Sequence, residues 1–166
     1  MHSRNIHFLV MDVDGTLTDG KIYMGDKGEL FKAFDIKDGY GIRHLLPSLG
    51  IIPVVITARE SRIVANRCAE LHITELHQSC HDKFNKLLEI LRAHSALDNT
   101  TYDLSNVAYI GDDLLDLQCI EPIRQQGGFT ACPADAIDEV RQAVNYVCTH
   151  NGGNGAVREL IGLLAQ

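Results

Sequence analysis

A chain of 166 residues is long enough for one domain that buries roughly two thirds of its unfolded surface in a single core. With 45% hydrophobic and 22% charged residues, and no low-complexity tract, heptad pattern or fixed-period repeat, the composition points to one mixed core and excludes fibrous or repeat architectures. A net charge of −7 disfavours nonspecific binding to nucleic acid or to anionic membranes, so an anionic substrate needs a local basic pocket.

The start, Met1 to Asn5, leads into an apolar run too short for a signal peptide, and no segment reaches the ~18 apolar residues of a membrane span. The expectation is a cytoplasmic protein. Cys68, Cys80, Cys119, Cys132 and Cys148 are odd in number, spread out and never in a C-x-x-C pair. They read as reduced thiols used for packing.

In chain order, the first element is the apolar run H-F-L-V-M-D-V (7–13), which reads as a buried strand. Residues 21–34, K-I-Y-M-G-D-K-G-E-L-F-K-A-F, form two strand-like runs around Gly25-Asp26-Lys27-Gly28, a hairpin turn signal. This hairpin is too short to fold as a lid, and Ile22, Met24, Leu30, Phe31 and Phe34 on it need cover, expected from neighbouring subunits. A second buried strand, I-I-P-V-V-I-T (51–57), precedes a helix over 61–71 with Ile63, Val64, Cys68 and Leu71 on one face. After a short strand comes a helix over 81–94 carrying Phe84, Leu87, Leu88 and Leu91. Strands at 106–111, 128–132 and 145–148 then alternate with helices at 113–124 and 135–143. Residues 150–166 read as a flexible glycine-rich tail anchored by a helix whose Val157, Leu160, Ile161 and Leu164 share a face. No strand follows that helix, so the glycines do not make a dinucleotide fingerprint. The alternation predicts a single α/β domain over 1–166 built on a doubly wound parallel sheet.

In such a sheet, ligands bind at the carboxyl ends of the strands. The residues found there are Asp12 and Asp14 after the first strand, Thr57 and Arg59 after the second, and Asp112, Asp113 and Asp116 after the third, joined by Lys83 from a helix start. An isolated acidic residue in such a place, Asp113 for instance, is ordinarily a helix cap. Carboxylates converging from two strands, however, repel each other unless a cation lies between them, and hard oxygen donors select Mg²⁺. A cation, a hydroxyl, a lysine and a spare carboxylate together suit a phosphoryl group.

The stretches D-V-D-G-T-L-T-D-G, I-T-A-R, the isolated Asp82-Lys83 and G-D-D-L-L-D resemble the four ordered motifs of the haloacid dehalogenase (HAD) superfamily of phosphatases. The resemblance implies a Rossmann-like fold in which Asp12 attacks phosphorus, Asp14 serves as acid and then base, and Thr57 and Lys83 bind the phosphate. It also implies Mg²⁺ held by Asp12, the backbone carbonyl of Asp14 and Asp112, with Asp113 or Asp116 in support. The usual cap domain has no room, because the first gap holds only the hairpin and the second only one helix and a short strand. The site is expected to be open or closed by another subunit.

A closer resemblance, carried by K-A-F-D-I-K-D-G-Y-G-I-R (32–43), N-R-C-A-E-L-H-I, G-D-D-L-L-D and G-A-V-R-E, is to the 3-deoxy-D-manno-octulosonate (KDO) 8-phosphate phosphatases. It implies an Mg²⁺-dependent homotetramer of lipopolysaccharide synthesis, assembled by hairpins, with a neighbour's tail reaching the site. It implies substrate contacts from Asp14, Asp35, Ile36, Lys37, Asp38, Gly39, Arg43, Arg59, Arg67 and Lys83. The five basic residues among them could form the pocket for a sugar with both phosphate and carboxylate. Arg59 and Arg67 are expected on one helix, pointing the same way. Two features depart from that family: Asn154 stands where G-G-R-G has its arginine, and the loop 94–104 is expanded. They leave open a nine-carbon acid sugar phosphate, although Arg59 favours the octulosonate over the sialic-acid branch, where a glutamate is common.

Two other classes share part of this chemistry. Receiver domains use an acidic Mg²⁺ cluster and an aspartyl-phosphate for signalling, and a noncatalytic module could keep the fold for assembly alone. His77, Cys80 and His81 lack a second ligand pair for zinc and read as a loop before Lys83, while Tyr40 and His44 read as packing or rim residues.

Overall fold

The first apolar run becomes strand β1, Phe8–Met11, with Phe8 and Val10 packed on one face and Leu9 and Met11 on the other. A strand buried on both faces must be covered by helices on both sides. In the computed structural model, which describes residues 5–166, that is the arrangement of the fully buried strands at the centre of the sheet. The reading of the chain start rests on Met1 to Arg4, which lie outside the described residues.

Strand β1 pairs in parallel with β4 (Ile52–Ile56) on one side and β6 (Val107–Ile110) on the other, with Phe8 opposite both Ile52 and Val107. The short edge strand β5 (Glu75–His77) extends the sheet beyond β4. On the far side β7 (Phe129–Cys132) and β8 (Tyr146–Val147) follow β6. The order β5-β4-β1-β6-β7-β8 is the doubly wound Rossmann order, with its switch point between β1 and β6. That order is not the one receiver domains use, which removes the signalling alternative.

One face of the sheet is covered by α1 (Ile36–Tyr40), α2 (Leu46–Ser48), α3 (Arg62–Glu70) and α7 (Ala156–Leu164). Ile42, Leu46, Val64, Val157, Leu160 and Ile161 from this layer pack with Leu9, Met11, Val55 and Ile110. The other face holds α4 (Lys83–Leu97), α5 (Leu117–Gln125) and α6 (Asp138–Ala143), whose Leu87, Leu91, Ile120 and Val140 meet Phe8, Val10, Val54 and Tyr109. Four of the five cysteines are buried and all are free, as a packing role requires.

The helical run from α1 to α2 has no counterpart among the elements read from sequence. Gly39, Gly41 and Pro47 are weak helix formers, and the run is widened at Gly41–Leu45, where the Leu46 N–H reaches back to the Gly41 carbonyl. Local capping and packing override that propensity: Asp35 accepts from the N–H groups of Lys37 and Asp38, at 2.7 and 3.0 Å.

The hairpin forms as expected from β2 (Tyr23–Gly25) and β3 (Gly28–Phe31), with the Tyr23 and Phe31 rings stacked 4.2 Å apart. Ile22, Met24, Leu30 and Phe31 are exposed, whereas Phe34 packs against the core and needs no cover. Among the described residues there is no cap domain: only the hairpin lies between β1 and α1, and only α3 and β5 lie between β4 and α4.

The expected flexible tail packs against the domain along its length. Helix α7 buries Val157, Leu160 and Ile161 completely, and the preceding glycine turn lies on the chain's own loop after β1, where the Gly153 N–H donates to the Thr16 carbonyl at 3.0 Å. The expanded loop is also shorter than expected, because α4 continues through Leu97.

Candidate active site

After β1, Asp12 still receives sheet pairing, its N–H donating to the Ile110 carbonyl, and the chain then turns sharply. The N–H groups of Thr16, Leu17 and Thr18 all converge on the Val13 carbonyl. Gly15 adopts φ +94°, and a Cβ there would lie 2.0 Å from Asp112 Oδ2, so only glycine fits. The turn thereby presses against the end of β6, and Thr16 Oγ1 donates to Asp112 Oδ1 at 2.9 Å. After Asp112 a tight turn at Leu114–Asp116 folds Asp116 inward, where it accepts from the N–H groups of Asp112 and Asp113 and from the Tyr109 hydroxyl.

Lys83, the first residue of α4, closes the cluster. Its ammonium donates to Asp12 Oδ1 at 2.6 Å and to Asp116 Oδ1 at 2.7 Å, and its side chain is 2% exposed. Burial opposes its charge, but the two carboxylates outweigh that and raise its pKa. Asp12 is raised by burial and by repulsion from Asp116, against the pull of Lys83. Asp112 is pushed up to about 8, by burial first and then by Asp12 and Asp116.

One carboxylate oxygen from each of Asp12, Asp112 and Asp116 lies within 4.8 Å of the others. Three crowded carboxylates with one ammonium carry excess negative charge, and their hard oxygen donors fit Mg²⁺. A testable consequence is the pH dependence of metal-free stability. Because the folded pKa of Asp112 is raised, the native state holds more protons than the unfolded state from the ordinary carboxylate range up to about 8. Its contribution is therefore lost as pH rises through that window. Thermal melts in chelator should show this decline, Asp112→Asn should make it shallower while the raised Asp12 and Asp38 keep part of it, and Mg²⁺ should reverse it.

Asp14 stands apart from the trio. Its Oδ1 accepts from the ammonium of Lys32, just beyond β3, and that ammonium also reaches Glu29 Oε1 at 2.9 Å. Glu29 Oε2 accepts from Ser61 Oγ at 2.6 Å, and Arg59 Nη2 lies 3.8 Å from Glu29 Oε1. Lys32, Glu29 and Ser61 are absent from the sequence-derived set. Lys32 opens the K-A-F-D-I-K-D-G stretch, but one lysine after a strand has no spacing that separates it from a solvated residue.

The remaining residues fall in three places. Thr57 directly follows β4 and is buried at the same sheet end. Asp35, the exposed Ile36 and Lys37, and the buried Gly39 line the start of α1, with Arg43 half-buried in the wide turn beyond. Arg59 and Arg67 do not share a helix, because α3 starts at Arg62 after Ser61. Arg59 reaches the hairpin, whereas Arg67 pairs with Glu70 at 2.8 Å and lies over the Phe34 ring. Asp38 turns inward: its Oδ1 accepts from the Arg158 N–H at 2.7 Å in the first turn of α7, and burial pushes it up to about 6. Asp113 is exposed, caps its own turn by accepting from the Leu114 N–H, and stays outside the acidic trio. Tyr40 is exposed and lies beneath Arg158 and beside His44, which is exposed as well. His77 pairs with Glu75 at 2.8 Å and belongs to no metal-binding group among the described residues.

No protein-family model matches the chain. It is 43% identical over 162 residues to the KDO 8-phosphate phosphatase KdsC of Escherichia coli (strain K12), covering 98% of this chain and 80% of that one. The chain belongs to the KDO 8-phosphate phosphatase family. The KdsC of Yersinia pestis is 41% identical over 160 residues, covering 96% of this chain and 80% of that one. Among solved members of this HAD family, the Moraxella catarrhalis enzyme in complex with magnesium, phosphate and KDO superposes with TM-score 0.85 at 36% identity, covering 98% of this chain and 87% of that one. The cobalt-bound Haemophilus influenzae phosphatase gives 0.86 at 32% identity, covering 100% and 91%. No helix among the described residues of this family member is long and apolar enough to cross a membrane.

Proposed function

We propose that this chain is an Mg²⁺-dependent phosphomonoesterase that releases phosphate from KDO 8-phosphate through an aspartyl-phosphate on Asp12. The observation that carries this reading is the convergence of Asp12, Asp112, Asp116 and Lys83 at the sheet's switch point, in a member of the KDO 8-phosphate phosphatase family. A carboxylate of Asp12 attacks phosphorus as the bond from phosphorus to the sugar oxygen breaks, and Asp14 gives the leaving oxygen its proton. Asp14 then takes a proton from water, whose oxygen attacks the same phosphorus and frees Asp12. Lys83 and Thr57 hold the phosphoryl oxygens. Asp12, Asp112 and the Asp14 carbonyl would hold the metal, with Asp116 in support. When bound, the cation neutralises negative charge on the phosphoryl group.

For the acid sugar, Lys37, Arg43 and Arg67 supply cations around the Asp35–Gly39 segment, and Arg59 supplies one from beside the hairpin. The exposed Ile22, Met24, Leu30 and Phe31 support a homotetramer that covers the hairpins, in a cytoplasmic enzyme serving lipopolysaccharide synthesis. The test is phosphate release with Mg²⁺ from KDO 8-phosphate, nine-carbon acid sugar phosphates and hexose phosphates. The first is expected to be preferred, and Arg59→Ala should raise KM for it far more than for p-nitrophenyl phosphate. Preference for a hexose phosphate would overturn the substrate and leave the phosphatase standing.

A further inference from the structure

We propose that Lys32 is the positioning residue for Asp14, and that through it the hairpin sets the geometry of the proton transfers. The inference rests on the aspartyl-phosphate reading above. Lys32 has a side chain only 1% exposed, so its ammonium has given up water and depends on protein acceptors. That ammonium donates to Asp14 Oδ1 and forms an ion pair with Glu29 Oε1 at 2.9 Å, so two carboxylates compensate its buried charge.

Lys32 is the one side-chain partner of Asp14 among the described residues. An aspartate carboxylate without a partner can leave its rotamer at little cost, whereas one bound to a buried ammonium cannot move without stranding a charge. The anchor is itself anchored. Glu29 holds the same ammonium at 2.9 Å and accepts from Ser61 Oγ at 2.6 Å, at the start of α3. Asp14, Lys32, Glu29 and Ser61 therefore link the turn after β1, the hairpin and α3. The trio of Asp12, Asp112 and Asp116 has a different lysine, Lys83. One ammonium serves the nucleophile and another serves the acid and base.

The decisive measurement uses the full-length, Mg²⁺-loaded enzyme with Lys32→Met. Turnover of the sugar phosphate is expected to fall on the order of 10- to 100-fold in kcat with KM little changed, because a misplaced acid and base slows chemistry without removing a substrate contact. With p-nitrophenyl phosphate, whose leaving group departs without a proton donor, the variant should release one equivalent of nitrophenolate in a burst and then turn over slowly. That burst reports hydrolysis of the aspartyl-phosphate, the step in which Asp14 must act as base. Lys32→Arg should restore part of the rate. Should Lys32→Met fail to fold, Glu29→Gln, which keeps an acceptor for Ser61 while loosening Lys32, should show the same burst with a smaller fall in kcat. Wild-type kcat in both variants, or a rise in KM that accounts for the whole loss, overturns the role of Lys32. The parent reading fails on a different result, activity retained by Asp12→Asn.

Discussion

Asp12→Asn is expected to lower kcat by at least about 10⁴-fold while leaving the fold intact, since the substitution removes a nucleophile that other groups cannot replace. The fold survives for reasons specific to this site. Burial and Asp116 already disfavour the charged form of Asp12, so a neutral isostere is no worse accommodated. Asparagine Oδ1 can still accept the Lys83 hydrogen bond that Asp12 accepts at 2.6 Å. Repulsion within the trio also falls, so the pKa of Asp112, raised in part by Asp12, should come down. The expected record is a far-UV spectrum and a melting temperature at or above wild type in chelator, a weaker response to Mg²⁺, and no phosphate release. Retained release would remove Asp12 as nucleophile.

The acidic centre was legible because two of its carboxylates come directly after unambiguous apolar runs. Asp12 and Asp112 follow β1 and β6, whose residues are all buried, so finding the strands finds the carboxylates. The doubly wound order followed from the same runs. What resisted reading depends on chain direction after a turn. Arg59 and Arg67 look like helix neighbours, but the helix starts only after Ser61, and that places Arg59 beside the hairpin. Asp38 resembles a substrate ligand in its motif, yet its partner Arg158 lies 120 residues away in α7. Lys32 meets Asp14 only because the bridge between Thr18 and Phe34 closes the base of the hairpin. The glycines at 152 and 153 suggested mobility, when their lack of side chains is what lets the turn pack against another backbone.

That packing makes Gly152→Ala the most damaging small substitution expected outside the acidic motifs. A Cβ at Gly152 would lie 1.8 Å from the Gly15 carbonyl oxygen and 3.1 Å from that of Thr18, both backbone atoms that cannot rotate aside. Asp135 Oδ1 accepts the Gly152 N–H at 2.9 Å and holds the turn in place, so the strain falls on the loop after β1. Gly15 is itself pressed against Asp112, whose Oδ2 lies 2.0 Å from where a Cβ at Gly15 would be. A shift there carries Asp12, Asp14 and Asp112 with it. The expected cost is about 2 to 4 kcal/mol in unfolding free energy. Because catalytic groups misplaced by ~1 Å lose rate steeply, kcat should also fall by about 10²-fold. Gly162→Ala is the matched control, since it adds the same methyl within α7 where nothing lies within 4 Å. It should stabilise the helix by about 0.5–1 kcal/mol and leave kcat unchanged. Chemical denaturation and phosphate release of the two variants, measured side by side, decide the matter: equal stability and equal rates would mean that the glycine turn does not support the nucleophile loop.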